Sequence, residues 1–290
     1  MNDYLLSLIL GIIEGLTEFL PVSSTAHLRI AESLLGVSLE DGYWKMFSIV
    51  IQLGAVLCLP IYFAGRIQGF LSTFPKGRRG DKTLLTHPIS LTLVAFVCTA
   101  GPAFLLKKVI GKNLENLALM GGALVVGGVV MWLVDASFGG RAQLRGESAA
   151  DELERMSMPQ AIWIGCCQVL SAVVPGTSRS MITIAAGQTS GLTRAAALEF
   201  SFLLSLPTMA AATCYDLLKF LKPSHGEPVP HIDSHGWIVL AIGFVVSFFV
   251  AWAVVAWFMN WVRTRGFVPF AIYRIVAGAA VIVWALGMFR

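Results

Sequence analysis

Charge is scarce in this sequence. Of 290 residues only 21 are Lys or Arg and 17 are Asp or Glu, about half the share of an ordinary soluble domain. Such a chain cannot cover itself with polar surface, which excludes a water-soluble enzyme, and it is too apolar to be disordered. The net charge of +4 is too small for a nucleic-acid footprint. The five cysteines, Cys58, Cys98, Cys166, Cys167 and Cys214, form no CxxC pair, so neither a disulfide framework nor a zinc site is read from them. Of the histidines outside the motifs, His87 starts an apolar stretch and His225, His231 and His235 flank a Pro-rich loop; none is read as a metal ligand. Period-two alternation is missing, which excludes a strand barrel. The N-terminus lacks the basic region of a signal peptide, so its first apolar stretch is expected to be retained.

Long apolar runs are what the chain has instead. A spanning helix needs about 20 mostly apolar residues. Residues 44–64, 87–106, 117–136, 197–220, 237–262 and 268–289 qualify, and 83–106 and 236–262 contain no Asp, Glu, Lys or Arg at all. The fold class is an all-α polytopic membrane protein. Two regions are too short and too polar to cross. Residues 4–20 carry Glu14 and Glu18, stop at Pro21 and are followed by a short segment, 23–35. Residues 159–174 stop at Pro175-Gly176 and are followed by 177–190. Irregular backbone at membrane depth survives only where protein or a water-filled cavity surrounds it, so both regions read as re-entrant helical hairpins.

The two hairpins also resemble each other. GIIEGLTEFLPVSSTAHLRIA from Gly11 and GCCQVLSAVVPGTSRSMITIA from Gly165 align without a gap at an offset of 154, pairing Pro21 with Pro175 and Ser24 with Ser178. Each is followed by three spanning stretches. An odd number inverts the second half, so the expectation is an inverted-topology repeat whose hairpins enter from opposite faces and meet near the midplane. The chain is one membrane domain, 1–290, with halves of about 1–136 and 158–290 joined by a cytoplasmic loop at about 137–157. Orientation follows the loop cations. One face has Arg66, Lys76, Arg78, Arg79, Lys82, Arg141, Arg145, Arg155, Arg194, Arg263 and Arg265; the other has Lys45, Lys107, Lys108, Lys112, Lys219, Lys222 and Arg290. The first face reads as cytoplasmic.

Ionisable residues inside a membrane are functional candidates by default. Glu14 and Glu18 lie one helical turn apart and share a face. Such a pair suits a hard divalent cation, Mg²⁺ or Ca²⁺, or supplies a general base. Ser23, Ser24, Thr25 and His27 follow Pro21. A hydroxyl at a helix start caps free N–H groups, which accounts for Ser23 and Thr25 in the simplest way, and those N–H groups also attract anions. His27, one turn beyond Ser24, is read as a base for it, and either of the two as a nucleophile. The second hairpin offers Gly176, Thr177, Ser178, Arg179, Ser180 and Thr183. Arg179 stands beside hydroxyls at a helix start, an arrangement suited to phosphate; without a ligand it can pair with Glu14 or Glu18. Assembled, these parts handle a phosphorylated group with a divalent cation, and a site within the membrane makes the rest of the substrate lipid. The other charges read as structural. Asp135, Asp216 and Lys219 are read as interfacial anchors, Arg194 and Glu199 as a pair, Arg274 as snorkelling outward, and 145–157 as a solvated loop or surface helix.

EGLTEFLPVSSTAH at Glu14–His27 and PGTSRSMIT at Pro175–Thr183 resemble the two signatures of the undecaprenyl-pyrophosphate phosphatase family, the bacitracin-resistance type. The resemblance extends over essentially the whole chain; Ala26 stands where the family often has Gly. It implies a bacterial inner-membrane enzyme that hydrolyses the C55 isoprenoid diphosphate to the monophosphate and free phosphate on the periplasmic side, recycling the carrier lipid of the cell wall. It implies functional roles for Glu14, Glu18, Ser24, His27, Ser178, Arg179 and Thr183, a divalent cation, and membrane lipid rather than nucleic acid as surroundings. The nucleophile stays open between Ser24 and His27, with Ser24 preferred, and a homodimer stays open as well. The alternative from a different class is a lipid-phosphate flippase or transporter using the same midplane anion site. A soluble-type lipid phosphatase is disfavoured, because no His follows Ser178-Arg179 at short spacing.

Overall fold

The computed structural model describes residues 2–38, 41–106, 110, 116–139, 148–221 and 232–287. The side chains of 219–221 and Arg263 lie outside that description, as do Lys107, Lys108, Lys112, Arg141, Arg145, Glu147, Lys222, His225, His231 and Arg290. Twelve helices follow one another, with no strand among the described residues. They are α1 (Asp3–Thr17), α2 (Ser24–Leu34), α3 (Gly42–Tyr62), α4 (Ala64–Thr73), α5 (Pro88–Leu105), α6 (Leu117–Phe138), α7 (Ala149–Glu154), α8 (Met158–Val173), α9 (Arg179–Thr189), α10 (Arg194–Leu221), α11 (Ser234–Thr264) and α12 (Val268–Ala285). Six of them, α3, α5, α6, α10, α11 and α12, are long and apolar enough to cross a membrane. They match the six apolar runs to within a few residues. α1, α2, α8 and α9 are shorter, in line with the two interrupted regions.

Polar caps set several of the helix starts. The side chains of Asn2, Asp41, Asn116 and Asp233 accept backbone N–H groups at the starts of α1, α3, α6 and α11, and Ser157 and Gln160 form a capping box on α8. In lipid such caps replace water as the partner of the first-turn donors. Small residues set the packing. α1 lies along α11 and α8 along α5. A side chain at Gly11 would run into the backbone of Gly243, and one at Gly165 into that of Ala95, so each short helix touches its neighbour backbone to backbone. α3 packs on α10 and α11, and α6 on α12.

Four charge assignments change. Asp135 is no interfacial anchor. It is buried, takes the Arg194 guanidinium at 2.7 and 3.1 Å, and accepts from Gln188 and from the Phe267 N–H, joining α6, α9, α10 and the start of α12. Arg194 therefore pairs with Asp135 rather than Glu199, and Glu199 instead takes Arg66 at 2.6 Å. The segment near 150 is not a plain solvated surface: α7 turns Glu152 inward onto the N–H and hydroxyl of Thr193, and Glu154 accepts from the Arg78 N–H. Arg274 does not snorkel, and is wholly buried. In each case a charge near a membrane edge found an internal partner, which a linear reading of loop charges cannot foresee. Asp216 is exposed on α10, and part of the stretch 65–86 is the helix α4.

Candidate active site

Two helix breaks face each other at the centre of the fold. In the first, α1 stops at Thr17, the chain passes Pro21, and α2 restarts at Ser24. In the second, α8 stops at Val173, the chain passes Pro175-Gly176, and α9 restarts at Arg179. The residue before each restart has a left-handed backbone: Ser23 at φ 74° and Ser178 at φ 72°. A non-glycine residue there stores about 1 kcal/mol or more, so the surroundings must enforce it. Gly176, at φ 90°, is also left-handed, and a side chain there would meet the backbone of Met120 on α6 at 2.7 Å. Only glycine serves both demands.

The matching strained serines give the true register of the two breaks. Ser23 corresponds to Ser178, so Ser24 corresponds to Arg179. The gapless alignment, which pairs Ser24 with Ser178, is therefore one residue out at the restart, although Gly11 and Gly165 hold equivalent packing positions before it. Between its packing glycine and its strained serine the second hairpin has one residue more than the first.

The two restarts meet on Glu18. The Ser24 hydroxyl donates to one oxygen of this carboxylate at 2.5 Å, and Arg179 from the other hairpin donates to the second at 3.0 Å. All three lie in the interior, with the Glu18 side chain 4% and the Arg179 side chain 11% exposed. Among the described residues, Nε of Arg179 has no hydrogen-bond partner, and neither has either carboxylate oxygen of Glu14, which is completely buried one turn before Glu18. Unpartnered buried charge-bearing atoms are costly and mark a place that a ligand completes. Two adjacent carboxylates, one with both oxygens free, are a donor set that fits a hard divalent cation. No cluster of three or more His, Cys, Asp or Glu occurs among the described residues, so a cation would draw its remaining ligands from substrate and water.

The remaining predicted residues separate into two groups. Ser180 and Thr183 are held by the protein: the Ser180 hydroxyl donates to the Leu20 carbonyl in the opposite break at 2.9 Å, and Thr183 bonds Ser201 on α10 at 2.6 Å and the carbonyl of Arg179. Ser178 caps α9 through the Met181 N–H and bonds Ser180. Ser23 contributes its carbonyl rather than its hydroxyl, Thr177 is half-buried and Thr25 is exposed. His27 stands apart from Ser24. Its Nδ1 bonds the Ser23 carbonyl at 2.8 Å, and its Nε2 lies 2.6 Å from the Tyr273 hydroxyl on α12. Glu18, not His27, is the base in contact with the serine in this structure.

Arg274 is the residue that sequence reasoning missed. Its guanidinium donates to the Pro21 carbonyl at 3.0 Å, and to the carbonyls of Gly176 and Thr177 at 3.2 and 3.0 Å, with Ala123 on α6 as a fourth acceptor. Gly127 on α6 leaves the room it occupies. Helix breaks leave carbonyls without intrahelical partners, at several kcal/mol each in a lipid-like interior. One cation here satisfies both breaks and fixes them to each other. The signal in the sequence was its position more than a turn inside a span rather than at its edge.

Comparison with known proteins covers the full length. A family model described as bacitracin resistance protein BacA matches residues 7–280. An undecaprenyl-diphosphatase of Koribacter versatilis is 67% identical over 99% of both chains. One from Sorangium cellulosum is 42% identical over 95% of this chain and 84% of its own, and one from Thermus thermophilus is 38% identical over 94% of each.

Proposed function

The chain belongs to the bacitracin resistance protein BacA family, and from that premise we propose how its two helix breaks hydrolyse undecaprenyl diphosphate to undecaprenyl phosphate and phosphate. It is an undecaprenyl-diphosphatase and a multi-pass membrane protein with six candidate spans. The observation that carries the mechanism is Glu18 held between a hydroxyl from one hairpin and a guanidinium from the other.

The Ser24 hydroxyl, already hydrogen-bonded to Glu18, attacks the terminal phosphorus. Its proton passes to Glu18 along the 2.5 Å contact, the anhydride P–O bond breaks, and undecaprenyl phosphate leaves as an anion that needs no proton. Water then attacks the phosphoserine. The water proton goes to a base, the P–Oγ bond breaks, and Ser24 recovers its proton from Glu18. His27, at the more open side, serves as that base. Arg179 turns its free Nε to the diphosphate, where a guanidinium is most effective against charge developing on phosphoryl oxygens. The first-turn N–H groups of α2 and α9 add to this field. Ser178, Ser180 and Thr183 hold the start of α9 in place, with Ser23, Thr25, Gly176 and Thr177 beside the diphosphate. Glu14 and Glu18 would hold a divalent cation, Mg²⁺ or Ca²⁺, which supplies neutralisation of the diphosphate charge.

The halves form an inverted-topology repeat with re-entrant hairpins. Three observations support this: exchanging α1 and α8 exchanges their partners α11 and α5, α3 packs on α10, and α6 on α12. Arg66, Arg78, Arg155, Arg194 and Arg265 gather near the ends of α3, α6, α8 and α11 that close one face, which we assign to the cytoplasm. Resemblance to the family, rather than the loop cations, assigns the opening of the site to the periplasmic side of the bacterial plasma membrane, and no nucleic-acid partner enters this reading. A transported anion would have no use for a serine poised on a carboxylate, so hydrolysis is preferred to flipping.

The test is phosphate release from a long-chain isoprenoid diphosphate by purified protein, with and without a chelator, and with rapid quenching on substrate labelled in the terminal phosphate. Chelation should stop turnover. Labelled phosphoserine should form in the wild type and be absent in Ser24→Ala. Full turnover by Ser24→Ala would overturn the assignment of the nucleophile.

A further inference from the structure

α12 carries neither signature, yet two adjacent residues on it reach the catalytic centre. Arg274 pins the carbonyls of both breaks. Tyr273, one residue earlier, meets His27: the hydroxyl lies 2.6 Å from Nε2, and the rings stack 5.6 Å apart at 16°. We propose that Tyr273 is a positioning residue for the reaction, holding the His27 ring and the lone pair on its Nε2 in the tautomer that the Ser23 carbonyl sets.

Donor and acceptor bookkeeping supports this. The Ser23 carbonyl can only accept, so the Nδ1 that contacts it at 2.8 Å bears the proton. A neutral imidazole then has its lone pair on Nε2, and the Tyr273 hydroxyl must be the donor to it. The strained backbone of Ser23 aims that carbonyl, and the Arg274 clamp fixes the backbone beside Tyr273. Nδ1 of His27 is thus set by the first break, and Nε2 and the ring face by α12. Tyr273 is about half exposed, at 47%, while Ser24 and Glu18 are buried. The nitrogen able to take a proton therefore lies toward the outside of the helix bundle, away from the buried Ser24–Glu18 pair.

This inference rests on the reading that His27 serves the reaction. The first measurement needs no variant: ¹⁵N spectra of histidine-labelled wild-type protein, with His27→Gln assigning the signal, should show the proton on Nδ1. A proton on Nε2 overturns the proposal. Tyr273→Phe keeps the stacked ring and removes the hydroxyl; it should lower kcat about tenfold with KM within about twofold, and its spectrum should show the Nε2 signal shifted by the lost hydrogen bond with the proton still on Nδ1. It should add nothing in a His27→Gln background that retains activity. An unchanged kcat in Tyr273→Phe, or an unchanged Nε2 signal, overturns the role of Tyr273 alone. Wild-type turnover by His27→Gln removes the role of His27 and this proposal with it.

Discussion

The two helix breaks share a backbone and divide the chemistry. Each ends a short helix at a proline, turns through a left-handed serine, and restarts an eleven-residue helix. At the restart one presents a hydroxyl, Ser24, and the other a guanidinium, Arg179. One turn before the first break stands Glu14, buried with both oxygens unpartnered. Its counterpart Gln168 is equally buried but donates to Thr99 and Thr208 at 3.1 and 3.2 Å. The first hairpin thus keeps unsatisfied acidic groups, whereas the second uses the amide of Gln168 as a donor to its neighbours and offers a cation, Arg179. The same backbone geometry thus presents a hydroxyl at one restart and a guanidinium at the other.

That division can be broken at its strongest point first. Glu18→Gln removes the proton acceptor of Ser24 and the partner of Arg179 together, and should lower phosphate release about 10³-fold. Activity within tenfold of wild type would place the base elsewhere. Arg179→Lys keeps the charge but loses the fork that reaches Glu18 and the diphosphate at once. A loss of about 100-fold in kcat/KM is expected, measured as steady-state turnover, and a near-silent result would demote the second hairpin to scaffold. Glu14→Gln makes the first hairpin resemble the second at this position. It should raise the divalent-cation concentration for half-maximal activity by about tenfold or more, read from a metal titration. The smallest effect belongs to Ser178→Ala. Although the gapless alignment makes Ser178 the twin of Ser24, it acts as a cap on α9, and its loss should cost about 1 kcal/mol of stability while turnover stays within about tenfold. A loss as deep as that of Ser24→Ala would restore the equivalence of the two serines.

Much of this was legible along the chain. Six spans follow from runs of apolar residues, because lipid demands about 20 of them with every backbone group paired internally. The breaks follow from prolines set among hydroxyls and buried acids. The pairing of Glu18 with Arg179 was foreseen as one of two options. Less was legible wherever a partner came from far away. Arg274 and Asp135 were both assigned to the membrane edge by their positions near helix ends. Their burial depends on carbonyls and cations contributed by helices more than 50 residues distant. His27 was assigned to Ser24 by helical spacing, and a tyrosine 246 residues away holds it instead.

By itself the sequence determined the solvent of this protein, the number of its spans and the parts of its active site, because hydrophobic length and intramembrane charge are properties a local stretch carries with it. The tertiary structure decided the roles. Which base touches the serine, which cation meets that base, and where the register slips by one residue all depend on carbonyl and hydroxyl directions. Those directions are fixed only when two strained turns from different halves of the chain close on one carboxylate, with a single buried arginine holding their backs together.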